Sequence, residues 1–525
     1  MKTFEKKAHV KNGIARLCVS VLAIGLEIAF VVALFTGLKQ YAGWLRIVEE
    51  VLAVLLVIYL YGTEQASCVK LPWIMLILAF PVFGVSLYVM IGLNGPTNKM
   101  RKRYEKVDRV LLEQLMEGEY GEKSEAALDA LQRKDPQVAG IAAYLVKRTG
   151  IPLYQNSDIR YFDDTSKALA AMKEAVAGAK KFIFLEYFAI EQEGIWQEIL
   201  DILVERVKAG VEVRVFYDDI GSIAFVNTDF AKKLNDLGIQ CRVFNPFMPG
   251  LNFFLNNRDH RKLTIVDGTI GFTGGFNLAN EYFNITHPYG YWKDTGVMVI
   301  GEAVRSMTAT FLENWNAVKG NDKDDVSFRR YLCQEPYPQT REDAAFVQPY
   351  ADRPMDNEQV GEEVYISMAN KAVSYCWFVT PYLILTDEMT HALSLAAKRG
   401  VDVRIITPGI PDKKIVYAIT RSFYHCLVKD GVRIYEYTPG FCHCKMSIAD
   451  GVVATCGSIN LDYRSLYHHF ENGCLYAYGK AVEDTRKDFE KMMEDSEEVT
   501  QQYNLRKSTF LGIGQRLLRL IAPLL

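Results

Sequence analysis

The feature that most constrains this 525-residue chain is a stretch that occurs twice. Residues 260–267 read HRKLTIVD and residues 443–450 read HCKMSIAD. Both fit H-x-K-x4-D, setting His260, Lys262 and Asp267 against His443, Lys445 and Asp450. Each copy runs on into small residues and an asparagine, GFTGGFN and ATCGSIN, which adds Asn277 and Asn460. One H-x-K is weak evidence in a long chain. Two copies with the same trailing aspartate and turn are hard to obtain by chance.

The flanking segments repeat too. Strand-like KFIFLEYFAI (181–190), a helix, VEVRVFYDD (211–219), another helix and IQCRVFNPF (239–247) lead to the first copy. SYCWFVTPYLI (374–384), a helix, VDVRIITP (401–408), a helix and VRIYEYTPG (432–440) lead to the second. KAGVEVRV and KRGVDVRI match by eye. Strands alternating with helices predict a mostly parallel or mixed sheet covered by helices. The fold expected is therefore duplicated α/β, with domains at 151–330 and 345–498. Two such units meeting face to face would bring one H-x-K from each to a pseudo-twofold cleft. Past the motifs, DTGVMVIGEAV aligns with ENGCLYAYGKAV, so Asp294 and Glu471 occupy equivalent places. A carboxylate there suits the task of holding an imidazole in one tautomer.

The N-terminal region, 1–98, reads as a membrane anchor. Apolar runs at 14–37 and 71–93 each reach the roughly 20 residues needed to span hydrocarbon. A third run, 51–61, is apolar but flanked by Glu49, Glu50 and Glu64, which leaves two or three transmembrane helices. A cleaved signal peptide is disfavoured for want of a short apolar core with an A-x-A exit. Lysines at 2, 6, 7 and 11 precede the first run, and Lys99, Arg101, Lys102 and Arg103 follow the last. The positive-inside rule then predicts a multi-pass protein with a cytoplasmic main body. Residues 99–150 read as a polar helical connector, and 499–525 as an amphipathic helix suited to a membrane surface or to packing on the body.

Composition narrows the function. A formal net charge of −3 argues against a protein that coats nucleic acid. Ten cysteines without framework spacing read as free thiols of a reducing compartment. Cys442 and Cys444 flank His443, but no second Cys/His pair stands at zinc-ligand spacing, so no metal or cofactor is expected. The chemistry that two histidines and two lysines suit is displacement at a phosphodiester. One imidazole attacks phosphorus while the other protonates the leaving alkoxide, then activates the incoming alcohol or water. The ammonium groups and amides stabilise the charge that develops. Asp267 and Asp450 fit bracing of the loop better than contact with substrate, and Glu281 reads as a solvated or helix-end residue.

This constellation resembles the phospholipase D superfamily, whose mark is a pair of such motifs. LEYFAI, YDDIGS, NNRDHRKLTIVDGTIGFTGGFN, YWKDTG and GSINLDYRS are similar to bacterial cardiolipin synthases, as are Trp73, Pro81, Gly84 and Tyr88 in W-x7-P-x2-G-x3-Y and the terminal LLRLIAPLL. Cys442 and Cys444 depart from the usual pattern. The resemblance implies α/β/α sandwich domains and an active-site set of His260, Lys262, Asp267, His443, Lys445 and Asp450. It implies a bacterial membrane enzyme that joins two phosphatidylglycerols into cardiolipin and releases glycerol. By the same analogy His260 is the nucleophile and His443 the acid and then base, with the reverse assignment open. A hydrolase of phospholipid or nucleic acid, and a membrane scaffold with a dead site, are the competing classes.

Overall fold

A computed structural model describes residues 43–63, 67–88, 95–246, 257–318, 328–332, 345–356 and 358–504, with Gly25, Ala29, Val32 and Arg519 besides. The first half forms a seven-stranded sheet from β1 (Ser157–Phe162), β2 (Phe182–Tyr187), β3 (Glu212–Asp218), β4 (Gln240–Phe244), β6 (Lys262–Val266), β7 (Ile270–Gly274) and β8 (Gly296–Gly301). Its order is β1-β8-β7-β6-β2-β3-β4, with β2, β3 and β4 parallel and the remaining neighbours antiparallel. The short strand β5 (Arg258–Asp259) leaves that sheet.

The second half repeats the plan with β9 (Phe346–Asp352), β10 (Tyr375–Val379), β11 (Asp402–Pro408), β12 (Arg433–Tyr437), β13 (Met446–Ala449), β14 (Val453–Gly457) and β15 (His469–Ala477). Strand β16 (Ser496–Glu498) adds an edge beyond β12. The matching order, β9-β15-β14-β13-β10-β11-β12, is the duplication in three dimensions. The helices Ile195–Lys208 and Asp387–Lys398 are equivalent crossovers. Each ends at a glycine of the matched pair, Gly210 at φ 87° and Gly400 at φ 93°, a region that residues with a side chain rarely enter.

Buried residues of both sheets share one core. Phe184 and Leu263 of the first half and Ile406 and Met446 of the second belong to the same cluster, with Trp315 of Val304–Val318 and Phe489 of Lys480–Glu494. Separate clusters fill the outer face of each sheet. The sheets also meet through backbone. β5 pairs in parallel with the start of β15, His469 opposite Arg258, and Lys293 bridges Cys442 in the equivalent place. The connector helix Gly95–Leu115 packs on Val304–Val318, and Pro136–Thr149 on the helix Val360–Lys371.

The anchor reading is overturned. Among the described residues, no helix is long and apolar enough to cross a membrane. The run at 71–93 is broken where Ser67–Ala79 ends and Pro81 opens a new helix, Pro81–Leu87. Proline supplies no amide hydrogen to continue a helix and favours its first turn. The two helices then pack tightly, since a Cβ on Gly84 would meet the Ile77 backbone at 2.6 Å. Trp73 packs edge-on against Tyr88 at 5.3 Å. The W-x7-P-x2-G-x3-Y pattern thus encodes a helical fold-back. The run at 51–61 lies in the helix Gly43–Tyr61, whose 19 residues include Arg46, Glu49 and Glu50. The run at 14–37 lies outside the described residues apart from Gly25, Ala29 and Val32; of the tail helix expected over 499–525, residues 499–504, with the short helix Thr500–Asn504, and Arg519 are described. The transmembrane helices, and the multi-pass membrane placement built on them, are therefore withdrawn.

Candidate active site

His260 follows β5 and His443 follows β12, and each is fixed through its backbone by the other half. The His260 amide donates to the Phe470 carbonyl at 2.9 Å, and the His443 amide to the Lys293 carbonyl at 2.8 Å. The residue after each of those carbonyls is a carboxylate. His260 Nδ1 donates to Glu471 at 2.9 Å, and His443 Nδ1 donates to Asp294 at 2.8 Å. The pairing is therefore crossed. Each half supplies an imidazole and orients the imidazole of its partner half, with both carboxylates buried. With Nδ1 committed, each Nε2 keeps its lone pair for chemistry.

The small-residue turns explain how the carboxylates fit. A Cβ on Gly275 would come within 2.1 Å of Asp294 Oδ1, so that site needs glycine. In the other half Ser458 stands there instead, and its hydroxyl donates to Glu471 Oε2.

Lys262 and Lys445 lie behind the histidines, each 1% exposed. Their Nζ atoms donate to the carbonyls of His260 and His443 respectively. Lys445 Nζ also lies 2.9 Å from His443 Nδ1, a contact of proximity when that nitrogen carries its hydrogen toward Asp294. Burial, reinforced by these ammonium charges, holds both imidazoles well below the ordinary histidine value. Burial also brings Lys262 down to about 7, against the pull of Glu471. Burial pushes the Asp294 carboxyl up to about 7, with Lys445 opposing.

Both histidines face one cavity of about 1110 Å³, with Asn277 and Asn460 on its wall. The asparagines differ. Asn277 accepts from the Ala189 amide and donates to the Tyr282 hydroxyl, whereas Asn460 Oδ1 is buried without a hydrogen-bond partner. Asp267 and Asp450 are not brought to this cavity. They sit at the far ends of β6 and β13, five residues from the lysines, about 16 Å of strand. Each adopts a positive φ, 54° and 52°. The Asp267 carboxylate accepts from the amides of Lys180, Lys181 and Phe182, and that of Asp450 from Val373, Ser374 and Tyr375. Each ties its turn to the start of the neighbouring strand. Glu281 stands on the cavity wall.

Two neighbours of the histidines were not singled out by sequence. Trp292 packs 5.3 Å from the His443 ring, and His469 packs 5.4 Å from the His260 ring. They stand two residues before Asp294 and Glu471, so the aligned halves contained the signal. Among the described residues, His260, His469 and Glu471 are the group able to converge on a metal ion. Cys442 and Cys444 are buried free thiols outside that group.

Comparison with known proteins assigns the family. The pattern described as cardiolipin synthase, PLD-like domain, matches residues 172–315 and 365–493, and a phospholipase D-nuclease N-terminal pattern matches 51–92. The chain belongs to the phospholipase D superfamily. It is homologous to bacterial cardiolipin synthases at moderate identity. A Halalkalibacterium halodurans protein of that name is 30% identical over 94% of this chain and 98% of its own length. One from Oceanobacillus iheyensis is 32% identical over 86% of this chain and 93% of its own. An uncharacterized Streptococcus mutans protein is 39% identical over 89% of this chain and 99% of its own. The fold is shared with a phosphatidylserine synthase of Haemophilus influenzae, at a TM-score of 0.52, 16% identity, and coverage of 70% of this chain and 95% of that one. The duplicated domains are thus those of a cardiolipin-synthase-like enzyme of the phospholipase D superfamily.

Proposed function

We propose that this protein is a phosphatidyltransferase that converts two phosphatidylglycerol molecules into cardiolipin and glycerol. The observation that carries the reading is the crossed pair of carboxylate-held imidazoles on one cavity wall. In the first step one Nε2 attacks phosphorus, forming a P–N bond. The P–O bond to the glycerol headgroup breaks, and the other imidazole, protonated once the anionic phosphodiester beside it raises its pKa, gives its proton to the leaving oxygen. That imidazole, now neutral, takes the proton from the hydroxyl of a second phosphatidylglycerol. The hydroxyl oxygen forms the new P–O bond as the P–N bond breaks. Two displacements leave the configuration at phosphorus retained. Asp294 and Glu471 stabilise the imidazolium when it forms. Lys262 and Lys445 supply positive charge behind the site, where poor screening strengthens its effect. His260 as nucleophile and His443 as acid and base is the assignment carried from the family resemblance.

The test uses purified protein with vesicles of phosphatidylglycerol, with products read by mass spectrometry. Equimolar cardiolipin and glycerol, absent from His260→Ala and His443→Ala, support the reading. Phosphatidic acid in place of cardiolipin would mean that water takes the acceptor's place, and the protein would be a hydrolase.

A further inference from the structure

Two imidazoles converge on one carboxylate at the first histidine. His260 Nδ1 lies 2.9 Å from Glu471 Oε1, and His469 Nδ1 lies 3.5 Å from the same oxygen. One ligand atom from each of the three lies within 4.8 Å of the others. His469 stands on the cavity wall, 8% exposed, and neither of its ring nitrogens has a hydrogen-bond partner. Buried polar groups are nearly always paired, so an orphan imidazole beside a carboxylate calls for an explanation. Zinc held by nitrogen and oxygen at 2.0–2.1 Å spaces its ligands about 3.3 Å apart, which falls between the two observed distances. The other half of the site offers no such set, because the residue equivalent to His469 is Trp292.

We propose that His260, His469 and Glu471 form a binding site for a zinc-class divalent cation, and that its occupation switches the enzyme off. The inference rests on His260 acting in the reaction proposed above. Neutral His260 carries its hydrogen on Nδ1, toward Glu471, and keeps the lone pair of Nε2 for catalysis. A cation bound at Nδ1 moves that hydrogen to Nε2, with no net proton released. Nε2 can then neither attack phosphorus nor accept a proton, and Glu471 no longer orients the ring. Two imidazole ligands select zinc, cobalt or nickel over magnesium or calcium, which prefer oxygen donors. The charges of Lys262 and Lys445 oppose the cation, so the dissociation constant expected is modest, on the order of 10 μM. Reactions in magnesium are unaffected.

The test titrates the full-length protein with Co²⁺ and follows the visible d–d bands of a tetrahedral site, which added zinc should remove. His469→Gln should abolish those bands. In a parallel assay of phosphatidylglycerol turnover, the zinc concentration giving half-inhibition should rise at least tenfold in His469→Gln. Each protein is referred to its own metal-free rate. No d–d bands in the unsubstituted protein, or bands accompanied by strong thiolate charge-transfer absorption, would overturn the site. So would equal zinc sensitivity in the two proteins. If His469→Gln does not fold, the cobalt spectrum of the unsubstituted protein decides by itself. A protein that binds cobalt as described but turns over no lipid leaves the site standing and removes the proposed reaction instead.

Discussion

The two histidine environments are built alike and finished differently. At His260 the carboxylate is the longer Glu471, held by the Ser458 hydroxyl, with His469 alongside. At His443 it is the shorter Asp294, seated over Gly275, and the ring is walled by Trp292, Tyr282 and Phe441. One environment carries an extra imidazole and a single aromatic wall, Phe188, while the other is an aromatic box. The duplication kept what the proposed displacement at phosphorus needs, a fixed tautomer and a nearby cation. It let the second neighbour diverge. The lesson is that a twofold frame can hold two imidazoles ready for unequal tasks.

The largest expected effect tests whether both are needed. His260→Ala and His443→Ala should each lower turnover by about 10⁴-fold or more. Incubation with an activated phosphatidyl donor sharpens the comparison. Only the variant that retains the nucleophile should accumulate a covalent phosphatidyl-protein, measured by intact-mass spectrometry. Label on both variants would break the division of labour. Next come the carboxylates. Glu471→Gln and Asp294→Asn should each lower kcat by roughly 10²- to 10³-fold with little change in KM, since they orient rather than bind. Because the pairing is crossed, Glu471→Gln should reproduce the defect of the His260 variant in the labelling assay. Matching His443 instead would refute the crossing.

The pH profile follows from Lys262, whose proton is held only to about 7 in the free protein. In the proposed reaction the protonated form is the one that stabilises phosphate charge. The quantity kcat/KM should therefore fall as pH rises through 7, approaching tenfold per unit. An anionic substrate favours the ammonium, so the alkaline limb of kcat should lie higher. A kcat/KM that stays flat to pH 9 would exclude Lys262 from the charge-stabilising role. Smaller again is the contrast between the turns. Gly275→Ala must displace Asp294, whereas Ser458→Ala removes the hydroxyl's bond to Glu471 and the one it accepts from the Asn472 amide without displacing the carboxylate. The first should cost about tenfold in kcat, the second about threefold. Asp267 and Asp450 close the series with no expected loss of chemistry. Asp450→Ala strands three backbone amides and places alanine at a positive φ, lowering stability by about 1–3 kcal/mol in thermal denaturation. Asp450→Asn should lose less, and either protein, where folded, should keep its turnover.

The repeated succession of strands and helices, the paired motifs and the equivalence of Asp294 with Glu471 were legible in the sequence, because each is a property of one half compared with the other. The crossing was not, since an aligned pair of carboxylates says nothing about which imidazole each one faces. That depends on how β5 meets β15 and how Lys293 meets Cys442, contacts between halves with no local signature. His469 was missed for a related reason. Its meaning appears only beside His260, although alignment places it opposite Trp292. The membrane reading failed on different physics. Counting apolar residues across 71–93 ignores Pro81 and Gly84, which end one helix and let the next fold back on it.

The crossed pairing also bears on when the protein becomes active during synthesis. A ribosome that has completed the first domain has made His260 and Lys262 but neither His443 nor Glu471, the partner 211 residues downstream. The emerging chain therefore holds an imidazole with no fixed tautomer and no second histidine to relay a proton. In the proposed reaction, turnover requires that β15 has been translated and has docked beside β5. On that reading the distance along the chain acts as a timer, since the proposed centre is complete only when both halves have folded together.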